Sequence, residues 1–122
     1  MKHASIVFGV FVALMIATAV YHLVAMVAPL DASPPLRHLL FASINAALAV
    51  GLWYRPRWLV WPLAALVAQQ LWSHGHDLVA VCREQHTIDW MSIGVLLAMP
   101  TLLLLLLLDR RARASNSEAA SV

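Results

Sequence analysis

Four long apolar stretches, each closed off by charge or proline, dominate the chain and restrict it to folds that live in a bilayer. They run at about residues 6–28, 36–54, 58–73 and 88–108. A helix needs about 20 apolar residues, at 1.5 Å each, to cross the hydrocarbon. The first and fourth stretches meet that requirement. The second is slightly short, and the third reaches it only by taking in the first turn around Pro62 and running into the loop expected from Gly75 to Thr87. Across 122 residues the chain is 62% hydrophobic and 11% charged, less than half the charge of an average soluble domain. A soluble fold of this size cannot hide so much apolar surface. The sequence therefore predicts an all-α integral membrane four-helix bundle over residues 1–113, with a short disordered cytoplasmic tail at 114–122.

The flanking charges orient such a bundle. Lys2, Arg55, Arg57, Arg110, Arg111 and Arg113 border one side of the four spans. Arg37 and Arg83 border the other, together with Asp31, Asp77, Glu84 and Asp89. Basic residues mark the cytoplasmic side, so both termini are expected inside a cell inner membrane. Trp53, Trp58 and Trp61 form an inner aromatic belt in this scheme, and Trp72 and Trp90 an outer one. The first stretch is too long for a signal-peptide core and lacks a small-x-small cleavage site, which favours a retained helix.

Prolines and small residues shape the expected packing. Pro62 falls in the first turn of the third helix, where few backbone donors have partners. Pro100 interrupts the fourth span, where it predicts a kink and a freed carbonyl near Leu96. Ala13 with Ala17, Ala42 with Ala46, Ala47 with Gly51 and Ala64 with Ala68 are small-xxx-small pairs that allow close helix approach.

Five of the six histidines gather toward the outward end: His22, His38, His74, His76 and His86. Ionisable groups near hydrocarbon are costly, so their collection at one depth suggests a shared role. Helical spacing aligns Gln70, His74 and Asp77, and beside them Gln69, Ser73 and His76. His38 shares a face with Asn45, and His22 with Thr18 and Met26. The candidate metal set is therefore His22, His38, His74, His76, Asp77, His86 and Asp89, with Met26 and Met91 as thioether neighbours. Imidazoles suit copper or zinc, and thioethers tilt a site toward Cu(I). His22 and His74 are the candidate axial pair for a haem held between helices.

Other chemistries lack their residues. There is no HExxH or HxxxH motif, no pair of carboxylates within the membrane and no hydrolase-like Ser/His/Asp order. The single Cys82 rules out an internal disulfide, and no basic patch suits nucleic acid. Small multidrug exporters share the length and outline, but they use a membrane-embedded glutamate in the first helix, where this chain has His22. The expected role is a non-catalytic accessory or structural subunit of a membrane assembly, or a homo-oligomer, with the His/Asp cluster as a ligand site. A copper, zinc or haem protein and an oligomeric proton-linked transporter are the alternatives.

Overall fold

The computed structural model describes residues 2–28 and 33–119, all of them helical or in short connections. Four helices follow in order: α1 (Lys2–Val27), α2 (Pro35–Tyr54), α3 (Val60–Gln85) and α4 (Trp90–Ala119), with a 3-10 turn at Arg57–Leu59 before α3. Three helical segments are long and apolar enough to cross a membrane: Ile6–Val27, Pro35–Tyr54 and Trp90–Asn116. The chain divides into two compact units, Met1–Pro56 and Arg57–Val122. Each is an antiparallel helical hairpin. Pro29 and Asp31 lie outside the described residues.

The first hairpin is zipped by small side chains. Ala19, Ala25, Ala42 and Ala49 are buried, with Phe8 and Leu52 closing the end that carries both unit termini. On α1, residues 8, 12, 15, 19, 22 and 26 recur at alternating steps of four and three; on α2, residues 38, 42, 45, 49 and 52 do the same. That rhythm keeps one stripe of each helix on its neighbour, as in a coiled coil. A contact between His22 and His38 sets the register. Ala19 is then level with Ala42, Met15 with Asn45, and Phe8 with Leu52. Of the small pairs named from sequence, Ala13 and Ala17 instead face outward, both exposed. α2 opens with Pro35 in its first turn and closes at Arg55, which adopts a left-handed conformation (φ 50°) and donates its N–H to the Gly51 carbonyl at 2.7 Å.

The second hairpin uses the same rhythm with larger side chains. Val60, Leu63 and Val67 of α3 are buried, as are Ser92, Met99, Leu102 and Leu106 of α4. A contact between His74 and Ser92 sets this register, placing Val67 level with Met99, Leu63 with Leu102 and Val60 with Leu106. Pro62 falls in the first turn of α3, where its missing donor is harmless. α4 continues as one helix through Pro100.

α3 departs from the sequence expectation. It does not end at Ser73 but continues to Gln85, so Gly75, His76 and Asp77 are helical rather than part of a loop. No glycine has a positive φ, and the helix stops only at His86, whose φ of 53° provides the left-handed cap. His74 and His76 are consequently not at a helix terminus: His74 lies about three turns before the end of α3. From His74 to Gln85 the helix rises about 16 Å, while α4 begins only about 3 Å beyond Ser92. The last turns of α3 therefore project past the start of α4. After the left-handed turn at His86, residues 87–89 lie outside any helix and bring the chain back; a chain covers up to about 3.6 Å per residue.

At the other end, α4 runs on to Ala119, where a disordered tail is expected from residue 114. Nothing from Asp109 to Ala119 is Gly or Pro, and an Arg113–Asp109 ion pair of 2.9 Å spans one turn. The helix has no local reason to stop.

Candidate functional site

Each hairpin has a layer of hydrogen-bonded polar side chains across its seam, and in both the layer lies toward the end where its two helices are joined. In the first hairpin the layer is His22 and His38, whose Nδ1 atoms are 3.1 Å apart. His38 is only 3% exposed. Two ring nitrogens can hydrogen-bond only if one carries a proton and the other does not. The neutral pair is therefore made of unlike tautomers. The His22 ring also stacks on Phe41 (centroids 5.4 Å apart, 23° between planes) and meets Tyr21 edge-on at 5.3 Å. The Arg37 guanidinium lies 5.8 Å from the Phe41 ring. Asn45, two layers away in the same seam, donates to the Phe41 carbonyl at 2.8 Å and so pins the segment that carries that ring.

In the second hairpin the layer is a chain of three groups. Asp89 precedes α4 and accepts the Ser92 backbone N–H at 3.1 Å, capping the helix in the manner of an N-cap reaching N3. Its other oxygen accepts the Ser92 hydroxyl proton at 2.5 Å. That hydroxyl has one proton to give, so toward His74 Nδ1, 3.0 Å away, it can only accept. His74 must then carry its proton on Nδ1, and in the neutral ring Nε2 is the bare nitrogen. The Ser92 hydroxyl and N–H together hold the Asp89 carboxyl below its ordinary range, with a smaller contribution from charge on His74.

Serine, histidine and aspartate thus meet, but not as a nucleophilic triad. In a triad the serine gives its proton to histidine; here it gives it to aspartate, and Ser92 is 1% exposed. The arrangement orients an imidazole and caps a helix. It does not activate an attacking oxygen.

Within each hairpin, residues expected to join one cluster take partners of their own. His22 and His74, the candidate haem pair, each find a partner inside their own hairpin. His76 and Asp77 lie 3.9 Å apart on the projecting part of α3, with side chains 76% and 59% exposed. His86 is the exposed cap of that helix. The stripe of Gln70, His74 and Asp77 therefore runs from a half-buried to an exposed environment. Among the described residues, no three His, Cys, Asp or Glu side chains gather as a metal-ion set. Ser92 and Phe41 were not anticipated. The Asp-x-x-Ser spacing before an apolar run was the available signal for Ser92; Phe41 had none.

The chain matches no protein-family model, no curated protein and no solved structure. Its class is set by its own features, an all-helical protein with three helices able to cross a membrane.

Proposed function

We propose that the chain is a four-span inner-membrane protein, not itself catalytic, that serves as a subunit of a membrane assembly or homo-oligomer. Both termini are cytoplasmic and the two polar layers lie toward the outward face. The observation carrying this reading is the seam of the second hairpin. α3 is too polar to qualify as a span by hydropathy, yet from Val60 to His74 it lies along α4 from Leu106 to Ser92. That overlap covers about 21 Å of the roughly 30 Å hydrocarbon thickness. If α4 crosses, α3 crosses with it.

Charge placement agrees. Between Arg57 and Asp77 lie 19 residues without a formal charge, and between Asp89 and Asp109 another 19. Each stretch is about 28 Å long as helix. The Gln69, Gln70, Ser73 and His74 side chains that lower the hydropathy of α3 are uncharged polar groups of the kind that bond between membrane helices. The imidazoles within the spans are already engaged with partners in the chain, which supports packing and registration over turnover.

A proton-linked transporter is the second reading, favoured by the His74–Ser92–Asp89 chain of hydrogen bonds, since intramembrane ionisable groups mark proton routes. Two measurements separate these outcomes. Cys82, exposed on the projecting part of α3, should react with a membrane-impermeant maleimide on intact cells; labelling only after lysis would overturn the four-span orientation. In proteoliposomes with an internal pH dye, the subunit reading expects no proton flux and native mass above one chain. Proton flux abolished by His74→Phe would replace it with the transporter, whatever the native mass.

A further inference from the structure

At the opposite end of the first hairpin from its histidine layer, a shallow groove runs between α1 and α2. It is lined by Phe8, Gly9 and Val12 from α1, Leu52 and Trp53 from α2, and Arg55. Phe8 and Leu52, 4% and 1% exposed, are its floor, and Trp53 is an exposed wall. Gly9 leaves the groove open: a Cβ built there meets nothing within 4 Å. One wall is thus missing a side chain that the packing of the hairpin does not forbid.

The mouth of this apolar groove carries a fixed cation. Arg55 occupies the left-handed cap position after α2, where glycine is the usual residue, and its N–H is bound to the Gly51 carbonyl. Its guanidinium lies 5.0 Å from the centre of the Phe8 ring, within cation–π range. Both its backbone and its side chain are therefore restrained before any ligand arrives. A guanidinium matches a phosphate in shape and charge and is weakly hydrated. Trp53 alongside it is the residue type that anchors at the headgroup level of a bilayer.

We propose that this groove binds one anionic phospholipid, with an acyl chain over Gly9 between Phe8, Val12 and Leu52 and the phosphate on Arg55. Any lipid-facing groove is covered by hydrocarbon, so the apolar walls supply fit. Every phospholipid offers Arg55 a phosphate, but only in an anionic one is that charge not already offset by a headgroup ammonium, and so Arg55 supplies the choice of headgroup. The inference requires that α1 and α2 lie in a bilayer; it depends neither on their orientation nor on assembly with other chains.

The test is native mass spectrometry of the full chain released from nanodiscs containing equal phosphatidylglycerol, phosphatidylethanolamine and phosphatidylcholine. One phosphatidylglycerol should be retained in preference to the others by about tenfold, the scale of one charge-assisted contact. Arg55→Gln should remove the preference. Gly9→Leu should fill the groove and reduce bound lipid of all three kinds, while its helical circular dichroism and melting stay close to those of the parent. Val10→Leu, exposed beside it, should change neither. Equal retention of the three lipids overturns the proposal, and so does a preference that survives Gly9→Leu. Displacement of the lipid by millimolar inorganic phosphate would identify a phosphate site without an acyl-chain component, and would also overturn it.

Discussion

The two hairpins share a seam geometry and differ in what fills it. In the first, Ala19 meets Ala42 beside the histidine layer and Ala49 lies further along the same stripe, small side chains that allow the helix backbones to approach closely. In the second, Leu63, Leu102 and Leu106, none more than 1% exposed, keep the helices apart and interdigitate. The connections differ in the same sense. α1 ends a turn or so beyond His22, whereas α3 overshoots His74 by about three turns. A common polar-layer plan therefore tolerates two packing chemistries and two closures. What both retain is a polar pair at one level of an apolar stripe, which fixes register because any slip would strand its hydrogen-bonding groups.

The sharpest way to break the comparison is through the side chains in the seams. Leu63→Ala should cost about 2–5 kcal/mol, as a large-to-small change at a fully buried site, and lower the melting temperature in detergent. The first hairpin should respond to the opposite change. Ala42→Leu, at a 5% exposed seam position, should cost about 1–3 kcal/mol by overpacking. If Ala42→Leu is neutral, the first seam is not closely packed and the contrast fails.

The polar layers come next. Ser92→Ala removes the acceptor for His74 and the hydroxyl donor to Asp89 while leaving the backbone donor in place, and should cost about 1–2 kcal/mol. It should also remove part of the acid sensitivity at the start of α4. The depressed Asp89 carboxyl contributes stability that is present above its unfolded value of about 3.9 and lost as pH falls through its lower folded value. The protection factors against hydrogen exchange at the first turn of α4 should therefore fall only in acid, and less steeply in the variant. In the first hairpin, the nitrogen NMR shifts of His22 and His38 should show unlike tautomers at a pH where both rings are neutral. Matching tautomers would break the Nδ1-to-Nδ1 pairing.

The smallest effect has the opposite sign. Gly75 lies inside α3 with open space where a Cβ would stand. Gly75→Ala should stabilise the protein by about 0.5–1 kcal/mol, through helix propensity alone. A loop at Gly75, as expected from the sequence, would not gain in this way.

That expectation shows where hydropathy stops being informative. α1 and α2 were legible because their apolar runs and their structural extents nearly coincide; α4 was legible as far as Leu108, beyond which its helix runs on to Ala119. α3 was legible only as far as Ser73. Beyond it, Asp77, Arg83 and Glu84 look like a loop to any reading that expects a membrane helix to end at the membrane, although Leu78 to Gln85 are ordinary helix formers. The site was readable to a similar depth. His22, His38, His74 and Asp89 are all in polar layers, but partners are a tertiary property. Nothing in the spacing pairs His22 with His38 sixteen residues away across a turn and leaves His74 to a serine.

The projecting turns of α3 also divide that helix into two cooperative units. Below His74 each amide is shielded by α4, and its opening requires the hairpin to part. Above it, backbone bonds can break by fraying from the His86 cap, without disturbing the seam. Local opening free energies should therefore fall steeply within about one turn of His74, although the helix is geometrically continuous. A single geometric rod would then behave as two segments in time, a slow one belonging to the hairpin and a fast one in exchange with water.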